Sequence, residues 1–564
     1  MSDLMDSIEV RRNIKVSMRD GVELSTDIYL PVQEGPFPVL LLRTIYDKSA
    51  DNAVTWVPEF VSRGYVVVVQ DCRGKYTSDG EWEAYVHEAE DGYDCQEWIG
   101  AQSWCDGGIG MYGASYNGFT QSLTAPLRSK YLKAPVPTVS QQDNFGHWYV
   151  NGALQLHVPT TCLILWARAI GDDPDLTDSH QITRRLPLLS IGEGVLDSQF
   201  IKDAIRHNTF DDFWKNYSMR YKYNEVETPA LFVSGWYDNL VHETFKLFTG
   251  WTTQGKSSDA RERTKLLIGP WSHGNIGSSE PFGDIGFGSA AKLDFAKEQL
   301  RWYDSRLKNI KNGMDEEPPV HYFLMGANEW RFADAWPLPV TNFVHYYLHS
   351  EGNANSLIGD GSLSIVRPSE EPPDNFTYDP NNPVPTVGGQ IMASGEFGQM
   401  MNTVSGPMDR SSVESRKDIL VYTTGALVQD VEVTGPVTLR LNASSSCTDT
   451  DFTGTLVDVY PDGKAIIICE GLLRASFRDS IEKPSPIEPY AIYQFSIDMW
   501  ETSNLFKKGH KIRLEISSSN HPRFDRNLNT GKHPANDTVV NIAKQSIYHD
   551  ADNSSCLILP IIPR

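Results

Sequence analysis

The strongest constraint on the fold is a series of short, almost wholly apolar runs in the first half of the chain, separated by segments of helical pattern. The clearest run is YVVVVQ at 65–70, which is rich in β-branched residues, as a strand buried on both faces of a parallel sheet should be. The other runs are PVLLL (38–42), IGMY (109–112), ALFVS (230–234) and KLLI (265–268). Strands that alternate with helices in this way predict a doubly wound α/β sheet.

Local signals add detail to this sheet. The turn Arg19-Asp20-Gly21 between Asn13–Met18 and Val22–Leu30 predicts a β-hairpin at the start of the chain. Helical pattern predicts one helix over Val54–Arg63, ended by a glycine, and another over Ala291–Asn309.

Two stretches interrupt the alternation and divide the chain into domains. Residues 145–227 are helical in pattern, lack strand signals and are expected to form a cap over a cleft. After residue 337 short strand-like runs alternate with turns such as PDG at 461–463, which predicts an all-β sandwich or jelly roll. Within it, Gly352–Pro407 is rich in Gly, Pro, Asn and Ser and is expected to form a long irregular arm on the surface. The predicted division is 1–144 and 228–340 for the α/β part, 145–227 for the cap, and 341–564 for the β domain.

Charge and cysteine content limit the class of partner. Asp and Glu outnumber Lys and Arg by 73 to 50, so the formal net charge is −23, which disfavours binding to nucleic acid or to an anionic membrane. No apolar stretch approaches the roughly 18 residues of a membrane span, and the first 21 residues lack the apolar segment of a signal peptide. The seven cysteines have no metal-ligand spacing, which is typical of reduced cysteines in a cytoplasmic protein.

The motif Gly113-Ala114-Ser115-Tyr116-Asn117-Gly118 follows the run IGMY and precedes a helix-compatible segment. A strand that turns sharply into a helix exposes a serine at the apex, and the helix N-terminus directs its unpaired N–H groups at the same place. Ser115 is therefore a candidate nucleophile. The alternative is a glycine-rich turn with an incidental serine, and the spacing G-x-S-x-x-G is one residue longer than the common form of the motif.

A nucleophilic serine needs a base and an acid that orients it, and in α/β-hydrolases these follow in the order Ser, Asp, His. Asp238 ends the run ALFVSGWYD and His273 ends KLLIGPWSH, so both are expected on loops at strand ends. Either residue alone could be an ordinary loop residue, but three such positions in this order predict a catalytic triad. His242 is the main rival as base, although its place on the following helix should turn it away from Ser115.

With these motifs in place, the sequence resembles the cocaine esterase-like hydrolases, relatives of the X-prolyl dipeptidyl aminopeptidases and α-amino-acid ester hydrolases. The resemblance covers nearly the whole chain, including MRDGVELSTDIYLP, QDCRGKYTSDGEW, SGWYDN, GPWSHG and DVYPDGKA. It implies an α/β-hydrolase core with an inserted helical cap and a C-terminal jelly roll. It also implies the nucleophile Ser115, the acid Asp238 and the base His273, with an oxyanion hole made by the Tyr116 N–H and the Tyr46 hydroxyl.

The substrate is expected to be a small ester or activated amide. Related enzymes that recognise an amine carry acidic residues just after the catalytic Asp, whereas here Asn239, Leu240 and Val241 follow it and Glu243 lies too far along. This difference favours a neutral aromatic or aliphatic acyl group, with Trp148, Trp166 and Leu240 as pocket walls or, alternatively, as residues of the cap core.

Other functions stay open at this point. They are a dipeptidyl aminopeptidase, an amino-acid ester hydrolase or β-lactam acylase, an acyltransferase, and an inactive ligand- or glycan-binding protein. No metal or organic cofactor is implied, and a homo-oligomer is compatible with the sequence.

Overall fold

A computed structural model describes residues 8–169, 172, 179–393, 398–399 and 401–563. Its first strands form a sheet in the order β1-β2-β4-β3-β5-β6. Their bounds are β1 Ile8–Ser17, β2 Glu23–Pro31, β3 Phe37–Thr44, β4 Val66–Asp71, β5 Cys105–Met111 and β6 Leu132–Pro135. β1 and β2 form the predicted hairpin, and β4, β3, β5 and β6 pair in parallel. β4 is buried along its whole length, as its apolar sequence predicts.

The cap segment follows β6. It contains a short hairpin that the helical pattern did not predict, formed by β7 (Tyr149–Val150) and β8 (Ala153–Leu154). Its apolar side chains pack on one another and against residues near Ser115, in a single cluster that contains Trp148, Trp166 and Tyr116.

The α/β sheet continues after the cap in the order β12-β11-β10-β9. These strands are β9 Leu231–Tyr237, β10 Lys265–Ser272, β11 Val320–Leu324 and β12 Glu329–Ala333. The two parts of the sheet meet at Thr138, which pairs with Ala114 on one side and with Val233 on the other. The Val139 N–H also donates to the Val233 carbonyl at 2.7 Å. The predicted α/β fold is thereby confirmed, with the ends of β5, β9 and β10 close to one another.

The helices of the described residues are short. They are α1 Asp51–Val54, α2 Val57–Ser62, α3 Glu88–Gly100, α4 Tyr116–Thr124, α5 Asn144–Trp148, α6 His157–Arg168, α7 Ser179–Ile182, α8 Gln199–Arg206, α9 Asp212–Lys215, α10 Val241–Gln254, α11 Ser258–Arg263 and α12 Phe295–Leu307. None of these is long and apolar enough to cross a membrane.

Two helix predictions need correction. The helix expected over Val54–Arg63 is divided into α1 and α2, because Pro58 in the first turn of α2 cannot continue a preceding helix. The helix expected from Ala291 starts at Phe295, where the Asp294 side chain accepts a hydrogen bond from the Lys297 N–H and caps the first turn.

The chain after β12 forms the predicted all-β domain. Its strands are β13 Asn342–His349, β14 Ser362–Ser364, β15 Asp374–Tyr378, β16 Leu420–Thr423, β17 Val431–Ser445, β18 Asp451–Val459, β19 Ala465–Arg474, β20 Tyr493–Phe506, β21 Lys511–Ser517, β22 Ala543–Tyr548 and β23 Cys556–Ile562. The segment 352–407 is not only a surface arm, since it supplies β14 and β15 and buries Val384 and Ile391.

A buried polar cluster lies inside the β domain, centred on His549. Its Nε2 is 2.9 Å from Asp374 Oδ2 and its Nδ1 is 3.1 Å from Glu371 Oε2. The hydroxyls of Ser350 and Tyr422 also donate to Asp374. Burial by itself lowers the pKa of His549, but the hydrogen bond and charge of Asp374, together with Glu371, raise it overall.

We expect His549→Gln to destabilise the protein by about 3 kcal/mol at pH 6, because the change leaves the buried Asp374 carboxylate without its cation. A raised folded-state pKa contributes stability that is fully present below the unfolded-state value of about 6.5 and is lost as pH rises through the folded-state value. The difference between wild type and variant, measured by urea unfolding, should therefore shrink above pH 7. His345→Gln on β13 is the control, and a difference that does not change with pH would contradict the interpretation.

Candidate active site

Ser115 lies at the turn between β5 and α4, with φ 61° and ψ −123°. This backbone conformation is strained for a residue with a side chain, and such strain concentrates at functional sites. The two glycines of the motif make the turn possible. A Cβ on Gly113 (φ +129°) would lie 2.7 Å from carbon atoms of Asn117 and Leu42, and one on Gly118 would lie 2.8 Å from the Thr138 carbonyl oxygen.

Backbone hydrogen bonds fix both the N–H and the carbonyl group of Ser115. Its N–H donates to the Thr138 carbonyl at 2.9 Å, and its carbonyl accepts from Gly118 and Phe119 in the first turn of α4. Tyr116 is the first residue of that helix, so its N–H belongs to the terminal donors that have no acceptor within the helix. The turn therefore presents a backbone donor beside the Ser115 hydroxyl.

The Tyr116 side chain is buried against the hydrolase core. Its hydroxyl donates to Glu88 at 2.9 Å and accepts from the Tyr85 N–H at 3.0 Å, and its ring stacks on the Tyr85 ring. Glu88 pairs in turn with the fully buried Arg43. These contacts hold Tyr116 in place, so its N–H stays next to Ser115, while its side chain has no role in the predicted mechanism.

Asp238 and His273 are brought together at the ends of β9 and β10. His273 Nδ1 lies 2.8 Å from Asp238 Oδ1. Asp238 is fully buried and also accepts hydrogen bonds from the Ser234 hydroxyl and the Leu240 N–H. A carboxylate held in this way fixes the orientation and tautomer of the imidazole.

Tyr46 lies just after β3, and the Ser115 side chain is one of the neighbours that act on the pKa of its phenol. Burial raises the pKa of Tyr46 above that of a free phenol. The hydroxyl is therefore protonated at neutral pH and able to donate a hydrogen bond next to Ser115.

The rival base, His242, faces the β domain instead. Its Nδ1 lies 3.0 Å from Glu501 Oε2, and its ring stacks on Trp500 with 5.5 Å between the ring centroids. These contacts hold its imidazole against the β domain.

The three residues predicted as pocket walls are all buried. Trp148 and Leu240 are fully buried, and Trp166 is 4% exposed. Trp166 packs edge-on against Trp82, and Trp148 packs against Phe200 and Trp214. Tyr46 is packed against the same apolar cluster that contains both cap tryptophans, so this cluster reaches the site.

His147 and Asn239 were not predicted as site residues. Both are buried, and none of their side-chain nitrogen or oxygen atoms has a hydrogen-bond partner in the described residues. Burial lowers the pKa of His147 to about 4, and the charge of His273 acts in the same direction. The sequence indicated only that Asn239 lies near the predicted triad, since it directly follows Asp238.

The acidic residues at the starts of α5 and α10, Asp143 and Glu243, are already paired. Glu243 lies 2.7 Å from Lys246 Nζ and accepts from the N–H groups of Gln142 and Asp143. Asp143 is paired with Arg220 at 3.0 Å. Neither carboxylate is left to bind a cation from the substrate.

A strained serine between a strand and a helix, with a histidine–aspartate pair after two later strands of the same sheet, defines an α/β-hydrolase of the serine hydrolase class. Residues 20–275 match the family model of the X-Pro dipeptidyl-peptidases (S15 family), and residues 312–558 match the model of the X-Pro dipeptidyl-peptidase C-terminal non-catalytic domain.

Individual relatives agree with this class. The cocaine esterase of Rhodococcus sp. (strain MB1 Bresler) is 36% identical over an alignment that covers 98% of this chain and 99% of the relative. The chain therefore belongs to the cocaine esterase-like family and is a serine hydrolase. Two solved structures share the fold at 23% identity. They are an aminopeptidase from a marine sediment Thaumarchaeota archaeon (TM-score 0.83, covering 99% of this chain and 97% of the other) and an α-amino acid ester hydrolase (TM-score 0.84, covering 98% and 97%).

Proposed function

We propose that this serine hydrolase cleaves small carboxylic esters through an acyl-enzyme on Ser115. The observation that carries the proposal is the strained turn that holds Ser115 between β5 and α4. The Asp238–His273 pair at the ends of β9 and β10 supports it.

In the proposed mechanism His273, oriented by Asp238, accepts the proton of Ser115 as the hydroxyl oxygen attacks the ester carbonyl. The tetrahedral anion receives hydrogen bonds from the Tyr46 hydroxyl and the Tyr116 N–H. His273 then protonates the departing alcohol, and the acyl group stays on Ser115. A water molecule, deprotonated by His273, attacks the acyl-enzyme and releases the acid.

We propose a neutral acyl group for the substrate. The support is electrostatic, because an ammonium group would need a carboxylate with free acceptor capacity. Glu243 and Asp143 are neutralised by Lys246 and Arg220. The buried side chains of Trp148, Trp166 and Leu240 are proposed to form the apolar walls of the acyl pocket.

We propose the domain division 1–144 and 228–340 for the hydrolase core, 145–227 for the cap and 341–564 for the β domain. Contacts between these parts support a role for the β domain in enclosing the site. The Tyr237 hydroxyl donates to the Ile467 carbonyl at 3.1 Å, and the Asn151 side chain in the cap donates to the Leu472 carbonyl at 2.9 Å.

A substrate panel tests the proposed specificity. We expect phenyl esters of neutral acids to be hydrolysed with kcat/KM at least about tenfold above that for esters of α-amino acids or Xaa-Pro anilides, since an unpaired ammonium is costly to bury. Rates are normalised to sites titrated with an organophosphonate. A preference for amino-acid esters or Xaa-Pro anilides would overturn the specificity, and failure of the phosphonate to label Ser115 would overturn the mechanism.

A further inference from the structure

Three buried side chains at the cap–core junction have polar atoms without a hydrogen-bond partner in the described residues. His147 is 7% exposed, and both ring nitrogens lack a hydrogen-bond partner in the described residues. The same is true of both side-chain amide atoms of Asn239 and of the indole nitrogen of the fully buried Trp148. Buried polar groups are almost always hydrogen-bonded, and these three side chains adjoin the proposed acyl pocket, so the substrate is a natural partner for them.

These residues lie beside the proposed acyl pocket. His147 is the chain neighbour of Trp148, and Asn239 lies between Asp238 and Leu240. The helix that carries His147 begins at Asn144 and is capped by Asp143, whose backbone N–H donates to Glu243 of α10. Asp238, Asn239 and Leu240 directly precede α10. The cap helix and the start of α10 therefore approach each other at this place.

The groups that act electrostatically on His147 are His273, Glu243 and Asp238, and His147 in turn acts on His157. Burial and His273 lower the pKa of His147 to about 4, so its imidazole is neutral at pH 7. A neutral imidazole has one N–H donor and one nitrogen acceptor, and the Asn239 amide offers both as well. Glu243 and Asp143 are already paired with cationic side chains. The groups here that can still form hydrogen bonds with a ligand are therefore the uncharged ones.

We propose that His147 and Asn239, with the indole N–H of Trp148, form a subsite that binds an uncharged hydrogen-bonding substituent on the acyl group of the substrate. A hydroxyl, an ether or an amide oxygen would satisfy these atoms. The inference rests on the proposed function, and it narrows the neutral acyl group to one that carries a polar atom. A few placed polar groups in an otherwise apolar pocket are the usual source of such specificity.

The test compares 4-nitrophenyl esters of 2-hydroxy and 3-hydroxy acids with esters of the matching acids in which a methyl group replaces the hydroxyl. Each kcat/KM is divided by the rate of alkaline hydrolysis of the same ester, which removes differences in intrinsic reactivity. We expect the wild type to prefer one of the hydroxy esters by about tenfold or more, because a site built for a hydrogen bond rejects the analogue that lacks it.

His147→Phe should abolish this preference, while His147→Gln, which keeps a donor and an acceptor, should retain most of it. The preference is a ratio of two substrates on one preparation, so partial unfolding does not change it. His510→Gln is the control, since His510 is a buried histidine of the β domain whose Nδ1 lies 2.8 Å from Asp458 Oδ1, and its ratio should equal that of the wild type.

Two results would overturn the subsite and differ in what they say about the enzyme. In the first result, both esters are hydrolysed but the wild type shows no preference between them, or it shows a preference that His147→Phe retains. The proposed subsite is then wrong, and the esterase proposal stands. If no ester is hydrolysed and Ser115 is not labelled by the phosphonate, the proposed function fails and the subsite fails with it.

Discussion

Ser115→Ala is expected to lower kcat for a 4-nitrophenyl ester by about 10⁴-fold or more, because no acyl-enzyme can form without the nucleophile. The remaining activity would come from binding and from the oxyanion donors, which do not depend on the serine hydroxyl. The measurement is the steady-state rate at saturating ester, together with mass spectrometry of the protein after reaction with an organophosphonate.

Ser122→Ala is the matched control for this change. Ser122 is a buried serine on the same helix, and its hydroxyl has no hydrogen-bond partner in the described residues. Its loss should leave the rate unchanged and the phosphonate adduct in place. Activity of Ser115→Ala above about 1% of wild type would exclude Ser115 as the nucleophile.

Tyr46→Phe is expected to reduce kcat by about 10²–10³-fold with little change in KM, because an oxyanion donor acts in the transition state more than in the ground state. The phenylalanine keeps the apolar packing of the ring and removes only the donor. Affinity for a boronic acid that forms a tetrahedral adduct should fall in parallel with kcat.

Tyr112→Phe is the control for Tyr46→Phe. Tyr112 follows β5 and is buried, and its hydroxyl donates to the Ala53 carbonyl at 3.5 Å, so its removal should leave kcat within about twofold. A loss of less than threefold for Tyr46→Phe would show that this phenol is not an oxyanion donor.

The α/β sheet and the candidate triad were predictable because each depends on a local pattern with one dominant physical cause. The buried β4 has a nearly continuous run of valines, and Ser115 lies in a glycine-flanked turn that leaves few other conformations. Asp238 and His273 could be ranked above other residues because both follow apolar strands. Tyr46, in contrast, could be chosen only through the family resemblance, since a tyrosine after a strand has no distinctive spacing.

Other features were beyond the reach of sequence patterns. β20 shows apolar alternation only in its first half, at Phe495, Ile497 and Met499, whereas its second half buries polar residues such as Thr502 and Asn504, which an apolar pattern does not indicate. The functional interest of His147 depends on burial and on the absence of partners in the described structure, and neither is encoded in its immediate neighbours. Whether Trp148 packs in the cap or also borders the site is decided by contacts from distant segments, such as those with Phe200 and Trp214.

The pairing of Thr138 with both Ala114 and Val233 has a consequence for biosynthesis. Ser115 and the proposed oxyanion donors lie before the cap, whereas Asp238 and His273 lie after it, so the first part of the chain is synthesised with the proposed nucleophile and without the proposed base. The proposed triad is complete only when β9 pairs with the first part of the sheet at Thr138 and carries Asp238 into place. The proposed site therefore depends on the docking of the second half of the sheet.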